Sequence, residues 1–411
     1  MMLLNQRPEH NQPLVAADAA ALGIAGADQA ERFLEARDSH AETPLHALPA
    51  LAGELGIGSL HVKDEGKRLG LGSFKALGGA YAVMRLVLEE AGKRLGRAVE
   101  VGEIGDASVR AIAAQMTFCC ATDGNHGRSV AQGAGLVGAH SVVFVHAGVS
   151  RERVAAIARF GAEMVRVEGG YDHSVREAAR VAAERGWTVV SDTSWPGYER
   201  IPGLVMQGYT VIVREALRRM PEPLTPEPLT HVFLQAGVGG FAAAVAGHLA
   251  ILLGGERPKV VVVEPARAAC VYATAEAGRP VKIPHGQPTV MAMLECHEPS
   301  LVAWRVLARV GDAFMTVDEE DAVAVMNRLA RPAGNDPAIV SGESGGAGLA
   351  GLIRAAGDRE MRSALGLDAH SHVLIINSEG ATDPGRYAEL VGMAPEHVLL
   401  QTASSNSWKN A

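Results

Sequence analysis

Short apolar runs rich in valine and isoleucine alternate along the chain with longer segments whose apolar residues recur every three or four positions. The short runs occupy residues 116–122, 141–148, 163–169, 230–237, 259–265 and 372–380. Such runs predict buried strands, and the segments between them predict amphipathic helices. Strands that alternate with helices form βα units, so we expect an α/β protein with mostly parallel sheets and helices on both faces.

The length and composition of the chain narrow the class of protein. A chain of 411 residues exceeds what one compact core usually holds, so we expect two lobes. Hydrophobic residues make up 48% and charged residues 20%, which is typical of a folded enzyme. The net charge is −8 without a long basic run, which argues against nucleic acid and membranes as partners.

Several features favour a cytoplasmic location. No apolar run reaches the length of a membrane span, and the first residues lack the basic and apolar regions of a signal peptide. Four cysteines in a chain of this size fit a reducing compartment. Cys119 and Cys120 are expected to pack inside a strand, whereas the sequence leaves open whether Cys270 and Cys296 pair. The proline-rich segment 220–231 predicts a surface linker.

One lysine lies at the start of a predicted helix, between two turns that contain glycine. Ser73 occupies the position expected for the N-cap, so Lys75 falls in the first turn, where the helix dipole disfavours a cation. A lysine that is neutral, or that is used covalently, would relieve this conflict. On this segment alone, a lysine that points into water is the simpler interpretation.

Three predicted strands run into glycine-rich or polar turns. The first turn covers residues 123–127, the second covers Gly237–Gly240 and opens a helix, and the third contains Ser378. Amides at a helix N-terminus bind anions, phosphate above all. Each turn alone fits an ordinary βα connection. Three of them predict a ligand site, because parallel sheets bind ligands at the carboxyl ends of their strands.

Two other functions fit parts of this pattern. Gly237, Gly239 and Ala242 match a dinucleotide fingerprint, and Glu264 ends the next strand where a ribose contact is expected, so a nicotinamide dehydrogenase stays open. A non-catalytic module that holds the carboxylate of an amino acid also stays open. The fingerprint is a single short motif, however, and it leaves Lys75 unexplained. Pyridoxal phosphate would unite a lysine, a phosphate loop and a polar residue at a strand end.

Five motifs stand in the order seen in the threonine dehydratase and tryptophan synthase β family, which is fold type II of the pyridoxal phosphate enzymes. They read SFKALGGAYA, DGNHGRSVAQGA, AGVGGF, SGESGGAGLAGL and NSEG. This resemblance covers roughly residues 40–390. It implies open, twisted, mostly parallel sheets, a homodimer and a small amino-acid substrate. It also implies a large cofactor-binding domain of residues 1–115 and 196–411 and a small mobile domain of residues 116–195.

Within that family, three features resemble the ammonia-lyases that act on diaminopropionate. They are Asp123 directly before GNHG, the segment SDTSWPGYERIPGLVMQGYTV and the segment VMAMLECHEPS. Serine and threonine dehydratases usually carry a serine where Asp123 stands, and they lack the insertion at Trp195–Tyr198. The resemblance therefore implies α,β-elimination of 2,3-diaminopropionate to pyruvate and two ammonia, with a serine/threonine-type dehydratase as the alternative.

The resemblance also assigns residues to the cofactor, pyridoxal 5'-phosphate, and implies no metal. The cofactor-binding positions are Lys75, Asn125, Gly237, Val238, Gly239, Gly240, Glu343 and Ser378. Lys75 resembles the Schiff-base lysine, and Ser378 resembles the hydrogen-bond partner of the ring nitrogen. The phosphate loop departs from an all-glycine form at Val238, which is tolerable if that residue keeps a negative φ.

Three residues are expected to take part in catalysis. Lys75 is expected on one face of the substrate and Asp123 on the other face or near the leaving group, which would allow both enantiomers to react. Either Asp123 or Asp192 would hold the β-amino group as an ammonium before it leaves. The alternatives are a helix N-cap for Asp123 and a strand-end cap for Asp192. His126 is expected to order its loop.

Overall fold

The computed structural model describes residues 1–37, 40–122, 124–220 and 228–400. The strands are β1 (Met2–Leu4), β2 (Leu45–Ala47), β3 (Ser59–Asp64), β4 (Thr117–Ala121), β5 (His140–His146), β6 (Glu163–Val167), β7 (Thr188–Val189), β8 (His231–Gln235), β9 (Lys259–Pro265), β10 (Ala313–Val317) and β11 (His372–Asn377). The helices are α1 (Ala16–Leu22), α2 (Ile24–Glu35), α3 (Pro49–Leu55), α4 (Lys75–Leu95), α5 (Ala107–Ala113), α6 (Asn125–Val137), α7 (Arg151–Ala158), α8 (Tyr171–Arg185), α9 (Arg200–Arg219), α10 (Gly240–Leu253), α11 (Cys270–Ala277), α12 (Leu301–Val310), α13 (Glu319–Ala330), α14 (Ala347–Gly357), α15 (Arg359–Leu365) and α16 (Pro384–Val391).

The first of two compact units contains the described parts of residues 1–19, 42–68 and 212–411. Its sheet has the strand order β1-β10-β9-β8-β11-β3-β2. The edge strands β1 and β2 pair antiparallel with their neighbours, and the inner strands are parallel. Helix α14 packs against β8, β9, β10 and β11, and α10 packs against β8 and α12. Helices therefore shield the inner strands, and the consecutive valines at 260–263 are fully buried.

The second unit contains the described parts of residues 20–41 and 69–211. Its sheet has the order β6-β5-β4-β7, and every pairing in it is parallel. Helix α8 packs against β4 and β5, whereas α4 packs against α6. A Cβ on Gly133 would lie 2.6 Å from the Cα of Ala80, so α4 and α6 approach this closely only because residue 133 is glycine.

The structure confirms the predicted α/β class with mostly parallel sheets. The antiparallel edge strands β1 and β2 were not predicted, because three residues are too few to show a period. Ser73 caps α4 as predicted, since Phe74 already has helical dihedrals and Ser73 Oγ accepts from the Lys75 N–H. Residues 221–227 of the predicted linker lie outside the described residues.

The domain boundaries proposed from the sequence stay a prediction. They assign α4 to the domain of residues 1–115 and 196–411, whereas close packing groups α4 with residues 69–211 because it lies on α6. Cys119 and Cys120 are fully buried, as expected, and no disulfide joins Cys270 to Cys296. Within the described ranges, no helix is long and apolar enough to cross a membrane.

Candidate active site

In the second unit, Lys75 is the first residue of α4, and its ammonium pairs with the carboxylate of Asp192. The side chains of Lys75 and Asp192 are 21% and 16% exposed. The backbone N–H of Lys75 donates to Ser73 Oγ over 3.1 Å. A cation at the positive end of a helix dipole is therefore compensated by a carboxylate from a segment more than a hundred residues further along the chain. Lys75 does not simply point into water.

The environment of Asp192 keeps its carboxyl group ionised. Burial favours the neutral acid, but the Lys75 ammonium outweighs it and holds the pKa of Asp192 well below its usual range. Strand β7 ends at Val189, three residues before Asp192, and the carboxylate bonds to a side chain. A backbone N–H also bonds to this carboxylate, so the strand-end cap considered for Asp192 stays an alternative. A catalytic role for Asp192 stays a prediction.

His126 connects the start of α6 to the segment that carries Asp192. Its Nε2 donates to the carbonyl oxygen of Val190 over 2.8 Å, and its Nδ1 lies 4.0 Å from Asp192 Oδ2. Burial lowers the pKa of this imidazole, so the neutral form with a proton on Nε2 is favoured. His126 thus orders its loop, as expected from the sequence.

Two predicted residues lie at the turn before α6. Asn125 is the first residue of α6 and is buried, in the same unit as Lys75. Asp123 lies outside the described residues, so its roles as second base and as leaving-group partner stay predictions.

Trp195 and Tyr198, which were left open as packing or substrate-contacting residues, order the segment around Asp192. Their rings stack with centroids 4.1 Å apart and planes 13° apart. The Tyr198 hydroxyl donates to the Val189 carbonyl over 2.8 Å and accepts from the Ser191 N–H over 3.0 Å. These contacts hold the chain on either side of Asp192, which favours a packing role.

Tyr209 received no role from the sequence. It is 1% exposed, and its ring lies 4.8 Å from the Phe74 ring next to Lys75. Burial raises the pKa of its hydroxyl, which has no hydrogen-bond partner among the described residues. A Cβ on Gly78 would lie 2.5 Å from this ring, so the glycine in SFKALGGAYA makes room for Tyr209.

In the first unit, the glycine loop that follows β8 opens α10. Gly239 is the N-cap of α10 with φ +92°, a conformation that side chains disfavour. A Cβ on Gly237 would lie 3.0 Å from Cys296 Sγ, so a side chain at this position would crowd that thiol. Val238 does not adopt a positive φ, which confirms that valine is tolerated there. The first amides of α10 have no acceptor within the helix and favour an anion such as a phosphate ester.

Ser378 directly follows β11 in the same unit and is 3% exposed. Its N–H donates to the Gly345 carbonyl over 3.1 Å, and its Oγ lies 2.8 Å from Gln235 Nε2. Glu343 is also buried, in the loop that leads to α14. The sequence missed Gln235, although a polar residue that ends an apolar strand before a glycine loop is a signal that could have identified it.

The residues of the first unit fit pyridoxal phosphate. A loop that excludes side chains at Gly237 and Gly239 fits the phosphate ester, and a neutral hydroxyl at Ser378 fits an unprotonated pyridine nitrogen. Within the described ranges, no group of three histidine, cysteine, aspartate or glutamate side chains could hold a metal ion.

Glu264 does not support the dehydrogenase alternative. Its carboxyl oxygens accept from the N–H groups of Val271 and Tyr272 over 2.8 and 2.6 Å, at the start of α11. Burial raises its pKa to about 8. Both oxygens thus stabilise the N-terminus of α11, which leaves the proposed ribose contact without its acceptor.

Known proteins resemble this chain over most of its length. The model of the family described as pyridoxal-phosphate dependent enzyme matches residues 36–379. Diaminopropionate ammonia-lyase of Escherichia coli is 38% identical over 368 residues, which are 88% of this chain and 90% of that protein. An L-threonine dehydratase of Salmonella typhimurium is 28% identical over 56% of this chain and 41% of its own length.

A solved structure gives the same picture. Diaminopropionate ammonia lyase from Escherichia coli, crystallised in complex with an aminoacrylate-PLP azomethine reaction intermediate, superposes with a TM-score of 0.84. The two chains are 35% identical, and the match covers 95% of this chain and 96% of the other. The similarity therefore extends through both compact units.

Proposed function

We propose that this chain, which belongs to the family of pyridoxal-phosphate dependent enzymes, converts 2,3-diaminopropionate and water to pyruvate and two ammonia. The observation that carries the proposal is the pair of Lys75 and Asp192, because it places an amine and an ionised carboxylate together. Similarity to a diaminopropionate ammonia-lyase over 88% of the chain supports the same substrate. The threonine dehydratase matches a smaller part of the chain at lower identity.

Bound pyridoxal phosphate would act as an electron sink that acidifies the α-hydrogen of an attached amino acid. We propose that Lys75 holds the cofactor through Nζ and that the amides of Gly237, Val238, Gly239 and Gly240 hold its phosphate. Asn125 would donate to the ring oxygen. Ser378 would donate to the ring nitrogen, and Glu343 would lie at the same edge of the ring.

The side chains of the second unit would handle the protons of the reaction. With its Nζ unprotonated, Lys75 would be a base able to take the α-proton of the substrate. The carboxylate of Asp192, no longer paired with Lys75, can accept a hydrogen bond from the β-ammonium of the substrate. An ammonium leaves as neutral ammonia more readily than a free amine leaves as an amide anion. Asp123 stays the predicted base for the other enantiomer.

A comparison of substrates tests the proposed function. Wild-type protein loaded with pyridoxal phosphate is assayed for ammonia release with D- and L-diaminopropionate, serine and threonine. We expect kcat/KM for diaminopropionate to exceed that for serine or threonine by at least about tenfold, because a charge-assisted bond to the β-ammonium has no counterpart with a hydroxyl. A preference for serine or threonine would instead establish the dehydratase alternative.

We also propose that the protein is a cytoplasmic homodimer. Four cysteines that form no disulfide fit a reducing compartment, and the resemblance to fold type II enzymes supports a dimer. Light scattering on the eluate of a size-exclusion column would give the mass, with one chain being 43.0 kDa. A monomer mass at micromolar concentration would reject the dimer. Cell fractionation that finds the protein outside the cytosol would reject the location.

A further inference from the structure

Gln235, the last residue of β8, lies with its carboxamide against the residue that ends the neighbouring strand. Its Nε2 lies 2.7 Å from the Gly345 carbonyl oxygen, 3.0 Å from the Ile376 carbonyl oxygen and 2.8 Å from Ser378 Oγ. The side chain is 2% exposed. Two of the three neighbours are carbonyl oxygens, which only accept hydrogen bonds. The nitrogen end of the carboxamide must therefore face them, which assigns the orientation of this amide.

This orientation fixes the direction of the hydrogen bond at Ser378. An amide nitrogen has no lone pair that accepts a hydrogen bond, so the Ser378 hydroxyl cannot donate to Gln235. The two hydrogens of Gln235 Nε2 are shared among three acceptors, of which Ser378 Oγ is one. The single hydrogen of Ser378 is then directed elsewhere. Within the described ranges, no protein atom accepts this hydrogen. Ser378 is thus prepared as a donor to an acceptor that the described part of the chain does not supply.

The position of Ser378 does not depend on Gln235. The Gly345 carbonyl accepts from the backbone N–H of Ser378 over 3.1 Å as well as from Gln235. Strand β11, which Ser378 follows, pairs on both sides with parallel neighbours. Loss of the Gln235 amide would therefore change the direction of the Ser378 hydroxyl more than the location of its oxygen.

We propose that Gln235 is a positioning residue that makes Ser378 an obligatory hydrogen-bond donor to the pyridine nitrogen of pyridoxal phosphate. The inference rests on the cofactor part of the proposed function and deepens it. A pyridine nitrogen that accepts a hydrogen bond stays unprotonated, whereas a nitrogen facing an acceptor must carry a proton. Gln235 thereby holds the ring in its neutral form, which is the weaker electron sink and suits elimination.

A double-mutant cycle separates this role from a purely structural one. Binding of pyridoxal phosphate to the apoprotein is measured by fluorescence titration for wild type, Gln235→Met, Ser378→Ala and the double variant. We expect Gln235→Met to weaken binding about fivefold in the wild-type background and less than about twofold in the Ser378→Ala background. Equal losses in the two backgrounds would overturn the inference, because Gln235 would then act without Ser378.

Gln235→Glu gives a second test that preserves the size of the side chain. The introduced carboxyl donates a hydrogen bond when neutral, but it accepts the Ser378 hydrogen when ionised. We expect the affinity of this variant for pyridoxal phosphate to fall as pH rises through the pKa of the introduced carboxyl, and the visible absorption of the bound cofactor to change over the same range. Affinity that stays equal to wild type at every pH would overturn the inference.

The readouts distinguish the inference from the proposed function. Both variants are measured by cofactor affinity and absorption, and neither requires turnover of diaminopropionate. A wild-type protein that binds pyridoxal phosphate but prefers serine would contradict the proposed substrate. The double-mutant cycle would still test the role of Gln235, because it measures only cofactor affinity. A wild-type protein that binds no pyridoxal phosphate would overturn both.

Discussion

The two compact units contain predicted site residues of opposite chemical character. In the first unit, Gly237, Gly239 and Ser378 offer backbone amides and a neutral hydroxyl at the ends of parallel strands. In the second unit, Lys75 and Asp192 form an ion pair. This difference agrees with the proposal that these residues of the first unit bind the cofactor, whereas the ion pair of the second unit moves protons. Substitutions in the first unit should therefore change cofactor affinity, and substitutions in the second should change turnover.

Lys75→Ala should have the largest effect. It removes the predicted covalent partner of the cofactor and a base, so we expect a loss of at least about a thousandfold in kcat/KM for diaminopropionate. Borohydride reduction should no longer attach the cofactor to the protein. Lys93→Ala is the matched control, because Lys93 lies on the same helix with its side chain 76% exposed. Retention of the borohydride-stable adduct in Lys75→Ala would show that another lysine binds the cofactor.

Gly239→Asp, in the first unit, should have the next largest effect, which is expected on the affinity for the cofactor. The substitution puts a carboxylate into a loop at φ +92°, where the new Cβ would lie 3.3 Å from Ala303 Cβ. Repulsion of the cofactor phosphate should weaken pyridoxal phosphate binding by about a hundredfold or more, as measured by fluorescence titration.

Gly254→Asp is the control for backbone strain. Gly254 ends the same helix, α10, with φ +56° and open space around the position of a Cβ. We expect this variant to lose thermal stability but to keep wild-type affinity for the cofactor. If Gly239→Asp and Gly254→Asp bind the cofactor with equal affinity, the loop at Gly237–Gly240 does not bind its phosphate.

Asp192→Asn should reduce turnover while cofactor affinity stays within about twofold of wild type. Loss of the carboxylate that is proposed to receive the β-ammonium should lower kcat/KM for diaminopropionate about tenfold. The matched control is Asp312→Asn, since Asp312 pairs with Arg257 over 2.7 Å in the first unit and is 19% exposed. That variant should lose stability without a selective loss of turnover. Equal catalytic losses in both variants would show that Asp192 matters only for folding.

The pH dependence of thermal stability should also show whether the ionised carboxylate of Asp192 stabilises the folded protein. Its pKa is lowered in the folded protein, so its stabilising effect is complete above the ordinary carboxyl pKa of about 4 and is lost as pH falls below it. The difference in Tm between wild type and Asp192→Asn should therefore be constant from neutral pH down to about pH 5 and should shrink below about pH 4. A difference that grows on acidification would contradict the ion pair.

Tyr198→Phe should have the smallest effect. It removes the hydroxyl that bonds Val189 and Ser191, so we expect a loss of about 1 kcal/mol in the free energy of unfolding. Tyr387→Phe is the control, because the buried Tyr387 hydroxyl has no hydrogen-bond partner in the described part of the chain. Denaturant unfolding should place that variant within about 0.5 kcal/mol of wild type. Identical losses would mean that the Tyr198 bonds contribute nothing specific.

Local signals in the sequence predicted more of the fold than of the site. Runs of valine and isoleucine identified the buried parallel strands, because burial on both faces requires continuous apolar residues. The edge strands β1 and β2 were not predicted, because each has only three residues. The loop at Gly237–Gly240 was predicted from glycine alone, since only that residue adopts the φ of +92° found at Gly239.

Contacts between distant residues could not be predicted. Lys75 and Asp192 were both candidates, but their pairing depends on how the chain folds between them. Gln235 and Ser378 meet because β8 and β11 are neighbours in the sheet, a fact that no local pattern contains. Glu264 resembled a ribose-binding residue, since a polar residue at a strand end looks the same whether it binds a ligand or stabilises the next helix.

The central claim is that the second unit, through Lys75 and Asp192, serves the release of the second amino group of diaminopropionate. The ratio of ammonia to pyruvate among the products tests this claim most directly. Ammonia and pyruvate are quantified from the same reaction of the wild-type protein, loaded with pyridoxal phosphate, with diaminopropionate as the only amino acid. We predict two ammonia for each pyruvate, because both nitrogens of the substrate are released. Pyruvate formed in a parallel reaction with serine, while diaminopropionate yields neither product, would contradict the account.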